Sequence, residues 1–315
     1  MGRVARIKDV SGVYHVMARS IVEFDMFQSD EDKEKFLEIL LREKERYNFK
    51  IYAYCLMTNH YHIHIDPCGL DISKIMHIIN LAYVRFINKK YERRGPLLDG
   101  RFHSKLIRND RQNLAVSAYI HLNPKDILEY DGREFEYPYS SMGIYLGKQK
   151  DTKGLVDMDF VLSSLDEDMQ SAVKIYADFV KSRLATKEDK EDKEDKEDGF
   201  KMYDEEIKKI HYEKRSYRHV IYRDKSPRKV IEYIAEKFGI EYVDSVMNKW
   251  DREEINYRAV CAHVLLVYCG LTYGQICNIM CNITESGVKG LCKKGFGLFK
   301  KGIINKSLLS GLAAS

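Results

Sequence analysis

The chain has 315 residues, 44% of them hydrophobic and 32% charged, enough for about two domains with buried cores. No apolar run approaches the roughly 18 residues of a membrane span, and residues 1–10 carry charge without an apolar stretch; membrane insertion and a secretory leader are not expected, and the chain reads as cytoplasmic. The net charge of +4 hides two basic blocks, residues 1–126 (21 Lys and Arg against 16 Asp and Glu) and 201–315 (20 against 13), around an acidic middle, 127–200 (11 against 19). This pattern suggests two surfaces for a polyanion joined by a segment that avoids one.

Residues 13–19 alternate weakly and predict a strand. Ser29 and Asp30 offer an N-cap for an amphipathic helix to Tyr47, with Phe36, Ile39, Leu40 and Tyr47 as its stripe. Residues 50–57 predict a second strand, and Thr58-Asn59 turns into a third, residues 59–66. Along that third strand His60, His62 and His64 share one face, read as polar and outward, while Tyr61, Ile63 and Ile65 share the other and point to a core. Residues 70–91 predict a long helix (Ile72, Ile75, Ile79, Ala82, Phe86) and 102–108 a last strand. The order β-α-β-β-α-β is that of a ferredoxin-like sheet, so the fold class expected for this part is α+β.

Between the long helix and the last strand the chain turns basic. Arg85, Lys89, Lys90, Arg93, Arg94, Arg101, Lys105, Arg108 and Arg111 are interleaved with Tyr83, Phe86, Tyr91, Phe102 and His103. Basic residues track phosphates and aromatic faces stack on unpaired bases, which points to nucleic acid. A helix over 113–122 follows, stopped by Asn123-Pro124, with Tyr119 and Asn123 one turn apart. A helical extension is expected over 131–185, and then Lys-Glu-Asp repeats four times within a charged linker, 186–200. The remainder, 201–315, reads as a small all-α domain. Helices are expected over 227–238 and 257–268, and then from Gly270 a short helix, a turn at 281–284 and a Thr284-capped basic helix. That is helix-turn-helix spacing, with Lys289 and Lys293 as DNA contacts and Cys281 where a turn glycine is more usual. The seven Cys form no Cys-x-x-Cys pair and read as reduced core residues.

Two histidines alternating on a strand are a ready pair of metal ligands. A helical tyrosine and asparagine nearby in sequence, with a basic aromatic surface, suggest phosphoryl transfer on DNA. A tyrosine can attack a phosphodiester and hold the phosphate covalently. His60 and His62 would supply two metal ligands and Asn123 an amide oxygen as the third, a set suited to Mg²⁺ or Mn²⁺.

The stretch Tyr54-Cys55-Leu56-Met57-Thr58-Asn59-His60-Tyr61-His62 resembles the His-hydrophobic-His (HUH) motif of the single-tyrosine transposases. Tyr119-Ile120-His121-Leu122-Asn123-Pro124 resembles the catalytic helix of their branch associated with repetitive extragenic palindromes, the REP-associated tyrosine transposases. Tyr14-His15-Val16 through Arg19, residues 100–104 and Tyr137-Pro-x-Ser-Ser also fit, over roughly residues 3–180. The resemblance implies a catalytic core over 1–130, a divalent metal, single-stranded or hairpin DNA as partner and substrate, Tyr119 as nucleophile, and a 5′-phosphotyrosine intermediate. Residues 226–295 are similar to the helix-turn-helix of bacterial replication initiators. Thr58 stands where the family has Pro, Leu98-Asp99 where it has Trp-Gln, and Lys125-Asp126 where it has Val-Arg. His64 lies outside the two-His motif. A homodimer is compatible with the sequence. Two other readings stand beside this one: a domesticated protein that binds hairpin DNA without cutting it, and a His-x-His metallohydrolase of small substrates.

Overall fold

The computed structural model describes residues 7–152, 154–185, 223, 225–240, 246–247, 254–281 and 283–314. The expected linker at 186–200 and residues 201–222 lie outside them. The chain divides into two compact units, Gly12–Val220 and a second made of Met1–Ser11 with Ile221–Ser315.

In the first unit, strands β1 (Tyr14–Arg19), β2 (Lys50–Leu56), β3 (His60–Asp66) and β4 (His103–Leu106) form one antiparallel sheet in the order β2-β3-β1-β4. Helices α1 (Asp30–Tyr47) and α2 (Ile72–Lys90) complete the ferredoxin-like order. Ser29 and Asp32 form a capping box at the start of α1, and Asn48 ends it in the left-handed conformation. The Asp32 side chain, fully buried, accepts from the backbone N–H of Gln28 and Ser29, from Lys90 Nζ (2.7 Å) and from Tyr91 Oη (2.8 Å). These donors outweigh burial and hold its carboxyl below the usual range. The α2 stripe is Ile72, Ile75, Met76, Ile79, Tyr83 and Ile87, rotated slightly from the expected one, so that Ala82 and Phe86 are half-buried. Both helices cover the Tyr61 face: Phe36 packs on Tyr61 and Tyr83 at ring distances of 4.8 and 5.1 Å, and Tyr61 Oη donates to Asn80 Oδ1 at 2.7 Å.

The opposite, histidine-bearing face is not an outer face. Helix α3 (Asp110–Leu122) lies on it, packing against β2 and β3, and His62 and His64 are 2% and 0% exposed. The strand therefore reads as alternating in the sequence yet is buried on both sides. Asn109 caps α3 by accepting from Gln112 N–H. Almost all of α3 is buried because its other flank meets α6 (Met169–Ala185), the expected helical extension. The short helices α4 (Met142–Tyr145) and α5 (Asp159–Leu162) lie between them in the chain. Residues 137–141 pair with the edge of β2: Leu56 N–H donates to Tyr139 O and Ser141 N–H to Tyr54 O.

The second unit is helical: α7 (Pro227–Phe238), α8 (Ile255–Tyr268), α9 (Tyr273–Met280), α10 (Glu285–Lys300) and α11 (Ser307–Ala314). Helix α8 is its centre, buried from Tyr257 to Tyr268. Thr272 and Gln275 form a capping box on α9, and Thr284 caps α10. Between them Cys281 takes the left-handed backbone (φ 48°) that a glycine would adopt more readily. Of the seven free cysteines, Cys55, Cys261 and Cys292 are core residues as expected, whereas Cys68 and Cys281 are exposed. The segment before β1 belongs here. Asp9, fully buried, pairs with Arg223 at 2.9 Å and with His263 Nε2 at 3.2 Å, and Arg223 also donates to Ser11 O. The Arg223 and His263 contacts overcome burial and hold the Asp9 carboxyl down at about 2. Among the described residues no helix is long and apolar enough to cross a membrane.

Two glycines of α10 should respond oppositely to alanine. A Cβ at Gly295 would collide with the Ala259 carbonyl and His263 Cβ on α8, so Gly295→Ala should cost about 1–3 kcal/mol by overpacking. Gly290 has no atom within 4 Å of an added Cβ, so Gly290→Ala should stabilise by about 0.5–1 kcal/mol through helix propensity. Thermal unfolding of both variants checks the signs.

Candidate functional site

The site lies where β1, β3 and α3 meet. The β1–β3 register sets His15 opposite His64, Met17 opposite His62 and Arg19 opposite His60. On α3, Tyr119 faces this row, its ring 5.5 Å from that of His62 and 5.7 Å from that of His15, edge-on to both. The His60 and His62 rings are 5.0 Å apart. Asn123 follows one turn beyond Tyr119. Its Nδ2 donates to the Tyr119 carbonyl at 2.8 Å, and its side chain is also in hydrogen-bond contact with His60. The structure thus brings together Tyr119, His60, His62 and Asn123.

The Nδ1 atoms of both strand histidines are engaged. His60 Nδ1 donates to Asn59 Oδ1 at 2.7 Å, and His62 Nδ1 shares a proton with His15 Nε2 at 2.9 Å. Burial lowers the pKa of each ring. His15 falls to about 3, the Lys105 charge adding to the effect. His62 is pushed well below the ordinary histidine value, with His60 and His15 as further causes. Burial also lowers His60, against the opposing hydrogen bond that its protonated ring makes to Asn123. The rings are therefore neutral near pH 7 and keep lone pairs for a ligand. Two neutral imidazoles and one amide oxygen form a donor set that fits a divalent cation. Among the described residues no three His, Cys, Asp or Glu side chains gather as a metal cluster, so the amide is needed to complete a set of three.

Helix α3 is clamped from behind. Tyr176 Oη of α6 meets both Ser117 Oγ and His121 Nδ1 at 2.7 Å. His121 Nε2 meets Ser141 Oγ at 2.7 Å, and Ser141 Oγ accepts from the Tyr54 backbone N–H on β2 at 2.9 Å. A buried polar chain thus ties the helix carrying Tyr119 to the sheet. Sequence reasoning assigned no role to His121, Ser141 or Tyr176, nor to His15. The only signal was the presence of the first two and of His15 inside recognised motif segments.

The basic residues separate into groups. The loop 91–101 is anchored beside His60: Leu98 bridges Ser20, and Asp99 N–H donates to the carbonyl of Arg19, the β1 neighbour of His60. Arg94 and Arg101 are exposed on that loop, while Arg93 stacks on Phe24 at 3.9 Å. Lys105 sits on β4 opposite His15. Arg85 and Lys89 are exposed on α2, which covers the other sheet face. Lys90 pairs with Asp32 and Glu31 at the start of α1. Lys289 and Lys293 are exposed on α10 in the second unit.

Residues 10–123 match the family model described as transposase IS200 like. Over these residues the chain is similar to that family. The match runs from just before β1 through Asn123, so it contains both histidines, Tyr119 and the asparagine in one domain. Among solved structures, one titled as the REP-associated tyrosine transposase bound to a REP hairpin is similar at 17% identity, covering 50% of this chain and 90% of that one, with a TM-score of 0.40. Among curated proteins none matches.

The buried imidazoles of the first unit make its stability acid-sensitive. His121 has no charged partner in its polar chain, and burial holds it at about 3. An unfolded histidine titrates near 6.5, so between those values the unfolded chain binds a proton that the folded chain does not. Stability should fall as pH falls through that window, by about 2 kcal/mol for one such ring between pH 7 and 5. Urea unfolding midpoints across this range should show the slope, and His121→Gln should flatten it by about one proton.

Proposed function

We infer that the chain is a transposase that nicks and joins single-stranded or hairpin DNA through attack by Tyr119. The observation that carries this reading is the convergence of Tyr119, His60, His62 and Asn123 on one buried sheet face, inside the segment that matches the IS200-like family. The Tyr119 hydroxyl loses its proton and its oxygen bonds to phosphorus. The bond from phosphorus to the 3′ oxygen breaks, the 3′ oxygen is protonated, and the 5′ phosphate stays on the tyrosine. His60 and His62, through Nε2, and Asn123, through Oδ1, would hold Mg²⁺ or Mn²⁺, which supplies charge neutralisation at the phosphate oxygens. Asn123 also orients the C-terminal end of α3 through its bond to the Tyr119 carbonyl, and His15 with His62 walls the tyrosine ring. Arg94 and Arg101, exposed on their loop, would take phosphates beside the site, with Arg85 and Lys89 as a more distant track, whereas the Lys105 Nζ is buried. Residues 201–315 serve as a helix-turn-helix module whose helix α10 presents Lys289 and Lys293 to DNA.

Tyr119→Phe keeps the ring and removes only the hydroxyl. Incubated with 5′- and 3′-labelled hairpin DNA and Mn²⁺, it should form no covalent protein–DNA adduct while binding the hairpin as the wild type does. An adduct in that variant would exclude Tyr119 as nucleophile. Binding without an adduct in the wild type would instead favour the domesticated, non-catalytic reading.

Lys289→Ala with Lys293→Ala should leave adduct formation on single strands intact and weaken DNA affinity. The slope of log affinity against log salt should become shallower by about two phosphate contacts' worth, roughly 0.7–0.9 per contact. An unchanged slope would remove α10 from the DNA surface.

A further inference from the structure

The row of imidazoles holds two members that the transposase reading does not use as ligands, His15 and His64. His15 comes from β1, is 2% exposed, and reaches diagonally past its register partner His64 to put Nε2 2.9 Å from His62 Nδ1. We propose that His15 is a positioning residue: it accepts the Nδ1–H of His62 and thereby fixes the His62 tautomer with its lone pair on Nε2, turned to the site. The inference rests on the reading of His62 as a metal ligand, and goes beyond it by naming what selects the ligating nitrogen.

A neutral imidazole carries one N–H and one lone pair. If Nδ1 donates, Nε2 ligates; if Nδ1 accepts, Nε2 carries the proton and is blocked. The neighbouring ligand has the same arrangement, since His60 Nδ1 donates to Asn59 Oδ1. Asn123 repeats the logic for oxygen, its nitrogen being held by the Tyr119 carbonyl. Each of the three candidate ligands thus has its unused polar atom occupied by an internal partner, and His15 is the partner for His62. Outer partners of this kind fix ring orientation and raise ligand basicity. His15 differs from a core filler in this respect: its rings lie 5.1 Å from His62 and 5.7 Å from Tyr119, so one side chain sets both the ligand and the wall against the tyrosine.

The test uses the full-length protein with His15→Phe, which keeps ring volume and removes the acceptor, and His15→Gln, which restores a polar acceptor. Long-range nitrogen–proton correlation spectra of the metal-free protein near neutral pH read the His62 tautomer directly. Mn²⁺ titration followed by electron paramagnetic resonance reads the affinity. The wild type should show His62 as the Nδ1–H form. His15→Phe should shift it toward Nε2–H and weaken Mn²⁺ binding by roughly 10–100-fold, with recovery in His15→Gln. A wild-type His62 protonated on Nε2 overturns the proposal without any variant, as does a folded His15→Phe with unchanged tautomer and unchanged Mn²⁺ affinity. A wild type that binds no Mn²⁺ yet shows the Nδ1–H form, lost in His15→Phe, supports the positioning role and removes the metal from the transposase reading.

Discussion

Laying α3 across the histidine face of β3 takes His15, His62, His64 and His121 out of water together. A buried imidazole is costly unless its nitrogens find partners. Two solutions are visible. His121 satisfies both nitrogens with Tyr176 and Ser141, and one nitrogen of His15 meets one of His62. His64 is the exception: neither of its nitrogens meets a hydrogen-bond partner among the described residues, and it packs edge-on to Tyr52 at 5.3 Å instead. A site that needs neutral rings is thus built by the same burial that destabilises their charged forms.

Keeping α3 in register with the sheet matters because Tyr119 and Asn123 are carried on it and the two candidate ligands His60 and His62 are carried on β3. The clamp from Tyr176 through His121 and Ser141 to the β2 backbone fixes that relation with hydrogen bonds of 2.7–2.9 Å. It also ties the helical extension and the residues 137–141 to the sheet. The extension therefore acts on the geometry of the site without containing any of its residues.

Most of the elements were legible because their signals are local. The α1 helix runs from Asp30 to Tyr47 as its cap and stripe indicate, and α7 runs from Pro227 to Phe238 for the same reasons. The β-α-β-β-α-β order followed from alternation and helical periodicity. What periodicity does not carry is which element covers which face. His62 and His64 looked outward because alternation distinguishes two faces but not whether the polar one is covered. The part played by His15 depends on the β1–β3 register, and that of Lys90 on a buried carboxylate 58 residues earlier in the chain. Nothing local marks Asp9 as a member of the second unit either, since its partners are Arg223 and His263.

That last contact bears on the order in which the protein is made. Asp9 emerges 254 residues ahead of His263, an interval of roughly 10–50 s at ordinary ribosomal speeds of about 5–20 residues per second. The sheet, whose strands all lie between Tyr14 and Leu106, can close long before then. The first segment of the second unit must therefore wait, with its carboxylate hydrated, while the first unit folds behind it. It is committed only when α8 arrives, so the helical unit is completed from both ends of its sequence at once.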